Sequence, residues 1–200
     1  MADDYRNLSE TELAGFAAAN DERAFAEIVR RFSPRVFRVA SRFFQRHSLI
    51  EEAAQEVFLK AFTQIGNFEN RGSLEGWLTK IAVTTCINLL RTAKRQPELI
   101  IADLSDDESE WLEEKFLNVS AADYQSEEEK LIAADLLARL LKILPPEDRF
   151  VLTAIDGEGE SIKDIAEITG WSESKVKVKA FRARRRIRGA LEKLLPAHLR

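Results

Sequence analysis

A chain of 200 residues, 45% hydrophobic and 32% charged, holds enough apolar material for one domain or two small ones and has the composition of a soluble globular protein. Its formal net charge is -4, so affinity for a polyanion would have to come from a local concentration of positive charge. No apolar run reaches membrane-spanning length, and the acidic, polar start MADDYRNLSE is unlike a signal peptide. The single Cys86 cannot close an internal disulfide, and with only His47 and His198 beside it there is no cluster at metal-ligand spacing. The expectation is a cytoplasmic protein with no metal, no cofactor and no membrane insertion.

Helical periodicity governs the N-terminal half. A short helix begins at Ser9, with Glu12 three residues later, the spacing of a capping box. Phe25, Ile28, Val29, Phe32, Val36, Val39 and Phe43 recur three or four apart and predict one face of a long helix. Ile50, Ala54, Val57, Phe58, Ala61 and Ile65 predict the next, behind Ser48 and Glu51 at capping-box spacing. Leu74, Trp77, Leu78, Ile81, Ala82 and Thr85 mark another, opened by Ser73 as N-cap. Short connections and shared apolar stripes predict that these helices form one bundle. Cys86 falls on the last of them, as a small buried residue or, alternatively, a redox thiol.

The pattern then changes. From Asp103 to Glu129 there are eleven acids against one base, Lys115, with Trp111, Leu112, Phe116 and Leu117 interspersed. Such a composition predicts a linker, with room for a short helix or docking segment. Periodicity resumes behind Ser126 and Glu129, another capping-box pair, with Leu131, Leu136, Leu137, Leu140 and Leu141. Pro145 and Pro146 end that helix and start the next. The expected fold is all-α: two small helical domains, 1–95 and 126–200, joined by a flexible acidic linker over 96–125.

Within the second domain, Ser161 and Ser172 are N-cap candidates for two consecutive helices separated by Gly170. Ala166, Gly170 and Val176 have helix-turn-helix spacing: a small residue where the helices cross, a glycine that permits positive φ, and an aliphatic anchor on the second helix. That second helix carries eight Lys or Arg side chains between Lys175 and Arg188 and no acid. Its apolar stripe is Val176, Ala180, Ala183 and Ile187. The outer positions include Ser174, Lys175 and Val178 for base edges, Phe181 beside them, and Lys177, Lys179, Arg182 and Arg184 for phosphates. The competing reading is a solvated basic helix at the end of an ordinary bundle.

In chain order, AFAEIVRRFSPRVFRVA, IEEAAQEVFLKAF, RGSLEGWLTKIAVTTCINLLR and LPPEDRFVL followed by the helix-turn-helix resemble bacterial RNA polymerase sigma factors of the extracytoplasmic-function (ECF) class. The resemblance runs from about Leu8 to Leu195, with the acidic linker unmatched. It implies that the helix bearing Glu52, Gln55 and Glu56 docks on the clamp of core RNA polymerase; without it, those residues read as a solvated acidic face. It implies promoter melting and minus-ten recognition by the segment from Phe68 to Arg91. There Thr84, Thr85 and Asn88 match base-reading positions, and Lys80, Arg91, Lys94 and Arg95 are placed to hold the strand. Trp77 lies on the apolar stripe, so core packing and base stacking both stay open. Leu78 replaces the second aromatic of primary sigma factors, implying weaker melting and stricter promoter choice. Lys175 and Val178 stand where the family usually has Thr and Ser, and FENRGS departs from its RG(D/E) run.

The resemblance therefore implies a sigma factor that binds core RNA polymerase at clamp and flap, recognises promoter DNA at two elements and answers to an anti-sigma factor. Its linker would follow the polymerase's positively charged channel. No Gly-rich phosphate loop and no nucleophile-base pairing involving His47 or His198 is present, so an enzyme is not expected. Two rivals remain: a stand-alone helix-turn-helix regulator that needs no polymerase, and an interaction module whose basic helix docks an acidic partner without DNA sequence preference.

Overall fold

The computed structural model describes residues 5–68, 72–94 and 127–194. Among them all regular structure is helical, and the chain divides into two compact units, one of residues 1–96 with 166–170 and one of the remaining C-terminal residues. The expected roles of Glu69 to Arg71, Arg95, the acidic segment and the Ser126 cap lie outside the described residues.

The first unit contains α1 (Glu10–Ala18), α2 (Glu22–Phe43), α3 (His47–Gln64) and α4 (Leu74–Lys94). Ser9 opens α1 with the complete capping box: its Oγ accepts from the Glu12 N–H, and Glu12 Oε2 accepts from the Ser9 N–H at 2.8 Å. Asp21 caps α2 by accepting from the N–H groups of Arg23 and Ala24. The cap expected at Ser48 does not form. Helix α3 starts two residues earlier, with Arg46 at the N-cap and no side-chain cap bond, and Glu51 pairs with His47 at 3.4 Å instead.

The bundle core is dense. Leu13, Ile28, Phe43, Val57, Leu74 and Leu78 are all buried, and α2 packs on α1, α3 and α4. The apolar face expected on α2 splits in two: Ile28, Phe32, Val36, Val39 and Phe43 enter this core, whereas Phe25 and Val29 are only half-buried. On another side of α2, Arg31 ties down residues 5–8. Its guanidinium donates to the carbonyls of Tyr5, Arg6 and Leu8, each at 2.8 Å, and to Glu27 at 2.7 Å. Glu27 also accepts two bonds from Arg30, and these guanidiniums lower its carboxyl to about 2.

The C-terminal part of the chain contains α5 (Glu127–Lys142), α6 (Pro146–Leu152), a π-helical turn (Thr153–Gly157), α7 (Ile162–Thr169) and α8 (Glu173–Leu194). Pro145 and Pro146 take the N-cap and first helical positions of α6, where the missing N–H costs nothing. Of the leucines expected inside α5, Leu140 is buried, but Leu131 and Leu137 are exposed. The core instead gathers Leu144, Leu152 and Ala183, with Leu141 and Ile187 against it.

Candidate nucleic-acid and partner interfaces

The helix-turn-helix is built by local capping. Ser161 Oγ accepts from the Asp164 N–H at 3.1 Å to start α7, and Ser172 Oγ accepts from the Lys175 N–H at 3.2 Å to start α8. Between them Gly170 has φ +69, the left-handed backbone that a side chain would strain. Ile165 and Val176 are fully buried across the turn, while Ala166 and Ile162 are half-buried.

On α8, burial of Val176, Ala180 and Ala183 leaves the opposite side in solvent. Ser174, Lys175, Lys177, Val178, Phe181, Arg182 and Arg184 are exposed, as are Arg185, Arg186 and Arg188. Lys179 is not. Its ammonium donates to Glu147 at 2.6 Å and Asp148 at 3.3 Å on α6, and lies 5.0 Å from the centre of the Trp171 ring. Lys179, expected at a phosphate, sits here on the flank of α8 and pairs with the acidic first turn of α6. Arg184 is also engaged, through two bonds to Asp156 that lower the Asp156 carboxyl. Lys177 has only the loose pair with Glu173 at 3.7 Å, and Lys175 lies 4.4 Å over Trp171. Arg182, Arg185, Arg186 and Arg188 make no ion pair among the described residues.

In the first unit, α4 is held at its start from two sides. Ser73 Oγ accepts from the Gly76 N–H at 3.0 Å, and Glu10 of α1 accepts from the Leu74 N–H at 2.8 Å. Lys80, Asn88 and Arg91 are exposed along α4. Thr84 is half-buried and donates to the carbonyls of Lys80 and Ile81 in its own helix. Thr85 departs from its expected role: it is buried, and its hydroxyl accepts from Lys60 of α3 at 3.4 Å. Its place on the core stripe outweighs its hydroxyl. Trp77 is half-buried with its ring 5.6 Å from that of Phe68, so it packs without being sealed from solvent. Cys86 is buried, and burial pushes its thiol up to about 12.

On α3, Glu52 and Gln55 are exposed and Glu56 is half-buried, pairing with Lys60 at 3.1 Å. Beside this polar strip lies a feature that periodicity alone did not reveal. Phe25, Val29 and Phe37 of α2 and Ala54, Phe58, Leu59 and Phe62 of α3 line an open groove of about 570 Å³, with Glu51 and Gln55 at its edge. Phe25 and Phe62 meet edge to face at 5.0 Å. Leu59 is 60% exposed, a clear sign that this apolar surface is not closed by the fold. The available signal was an excess: α3 carries apolar residues at Phe58, Leu59 and Phe62, more than one inward stripe can bury.

Comparison with known proteins matches this architecture. Residues 28–96 fit the Sigma-70 region 2 family and residues 134–187 fit Sigma-70, region 4. The ECF RNA polymerase sigma factor SigM of Mycobacterium tuberculosis is 30% identical over 90% of this chain and 83% of its own length. The RNA polymerase sigma-H factor of Pseudomonas aeruginosa is 30% identical over 88% of this chain and 90% of its own length. The solved structure of CnrH in complex with the cytosolic domain of CnrY shares the fold, with a TM-score of 0.55 at 20% identity over 92% of this chain and 97% of that one. Two family matches in the expected order, with a relative 30% identical over 83% of its own length, identify the chain as a member of the sigma-70 family and, within it, an ECF RNA polymerase sigma factor.

Proposed function

We propose that residues 1–95 dock on the clamp of core RNA polymerase through Glu52, Gln55 and Glu56 together with the adjoining α2/α3 groove. The groove is the observation that carries this reading: an uncovered apolar surface with the Glu51 carboxylate and the Gln55 amide in its lining fits a partner helix with apolar and basic side chains. The same domain engages the minus-ten element through Lys80, Asn88 and Arg91, with Thr84 and Trp77 at its margin. Residues 126–200 bind the minus-thirty-five element through the outer face of α8 and reach the polymerase flap, and the acidic linker over 96–125 spans the channel between them. The chain itself performs no covalent chemistry and acts in the cytoplasm, where polymerase is.

Control by an anti-sigma factor is part of this reading. CnrH was solved with the cytosolic domain of CnrY, and the sigma factor RpoE of Bartonella quintana with the anti-sigma factor NepR. An anti-sigma factor that covered the α2/α3 groove would exclude polymerase directly.

The test is gel filtration of the full chain with core RNA polymerase, beside Gln55→Ala/Glu56→Ala and Leu59→Glu variants. Co-elution that both variants weaken is the expected result; their side chains lie at the surface or its margin, so folding should persist. Specific DNA binding without polymerase association would favour the stand-alone regulator and overturn the assignment of the first domain.

A further inference from the structure

We propose that Val178 and Phe181 are specificity-determining residues that read thymine methyl groups in the upstream promoter element. The inference rests on the reading of the second domain as promoter-binding and adds the base chemistry it recognises.

Val178 is 46% exposed and Phe181 65% exposed, on a helix otherwise dominated by cations. Their position is informative. Ser174, Val178 and Phe181 follow one another at i, i+4 and i+7, which places them on a single line along α8, and the buried Val176, Ala180 and Ala183 define the opposite side. This outermost line carries no charge until Arg185. Cations border it on both sides: Lys177 and Arg188 on one, Lys175, Arg182 and Arg186 on the other. A recognition helix in a major groove needs that layout, with phosphates along both borders and base edges along the centre.

The only apolar group on the base edges of the major groove is the thymine methyl. An apolar centre line therefore favours thymine where a line of Asn, Gln or Arg would favour purine edges. Val178 and Phe181 stand about 4.5 Å apart along the helix axis. Successive base pairs stack about 3.4 Å apart, so the two side chains can reach methyl groups on neighbouring pairs. Ser174, nearer the N-terminus, supplies a hydroxyl that either donates or accepts and discriminates less.

The experiment uses the full chain bound to core RNA polymerase to enrich duplexes randomised across the upstream element. The expected element contains thymines at two neighbouring base pairs, on one strand or divided between the two. Replacing each by deoxyuridine removes only the methyl and should weaken binding about fourfold. In Val178→Ser and Phe181→Ala chains the penalty at the corresponding thymine should disappear, with the salt dependence unchanged because neither residue is charged. Both side chains are exposed, and circular dichroism checks that the variants fold. An enriched element indifferent to deoxyuridine at every position, or a penalty that persists in both variants, overturns the assignment while leaving promoter binding intact; the apolar pair would then belong to a protein contact. Failure to enrich any element overturns both readings.

Discussion

Helices α4 and α8 are nearly equal in length, and both carry candidate DNA contacts, yet they keep very different numbers of them in solvent. Helix α4 is packed by α1, α2 and α3, so three of its sides are committed before any ligand arrives. Thr85 is consumed by the core, Thr84 by its own backbone, and Trp77 partly by Phe68, which leaves Lys80, Asn88 and Arg91. Helix α8 packs chiefly against α6, and nearly its whole outer half is open. The comparison shows that the number of neighbours around a helix sets how far its sequence can be read as a ligand surface. A polar residue on a crowded helix is a poor guide to contact; on a helix with one packed side it is a good one.

The largest effect should separate the two units. Phe43 is almost fully buried in the first bundle, and Phe43→Ala should destabilise that unit by about 3–5 kcal/mol. Calorimetry should show one transition moved down and the other in place; two transitions moving together would mean that the units unfold as one. Next comes Lys179→Ala, which removes the ammonium that pairs with Glu147 at 2.6 Å and Asp148 at 3.3 Å. A cost of about 3 kcal/mol is expected, read by denaturant unfolding of the second unit. DNA affinity should fall with it because α8 loses its seating, while the slope of affinity against salt stays nearly constant. A slope reduced by a full charge would restore Lys179 to the phosphate contacts.

Glu10→Ala removes the acceptor at the start of α4 and should cost about 1 kcal/mol in thermal denaturation. Promoter opening, followed with a fluorescent base analogue near the start site, should suffer more than closed-complex formation. Smallest in stability is Arg182→Ala. It should leave the melting temperature unchanged, weaken binding evenly across DNA sequences and lower the logarithmic salt slope by about 0.9. Between them, Lys179 and Arg182 divide the positive charge of α8 into a part paired within the fold and a part left in solvent.

A pH series sharpens the picture of the first unit. Arg30 and Arg31 lower the Glu27 carboxyl from its ordinary 4.5 to about 2. A depressed carboxyl contributes stability that is present above the unfolded value and lost as pH falls through the folded one. The first transition should therefore decline between pH 4.5 and about 2. Glu27→Gln should lower it at neutral pH and flatten the decline across that window.

Much of this molecule was legible in its sequence because helix signals are local. The caps at Ser9, Ser73, Ser161 and Ser172, the positive φ at Gly170 and the burial of Val176 follow from neighbours a few residues away. What escaped depends on distant partners. Nothing near Lys179 in the chain announces Glu147, and nothing near Phe25 announces Phe62. The cap expected at Ser48 failed because the helix begins two residues sooner, which places Ser48 inside its first turn.

The burial of Cys86 has a practical consequence. With its thiol enclosed and pushed up to about 12, the protein's one native cysteine should be silent to maleimides while the first bundle is closed. A cysteine introduced at an exposed position on α8 would then take a dye alone, with no native residue removed. Left unmodified, Cys86 is a built-in clock: its rate of alkylation reports how often the first bundle opens in the intact chain, free or bound to polymerase.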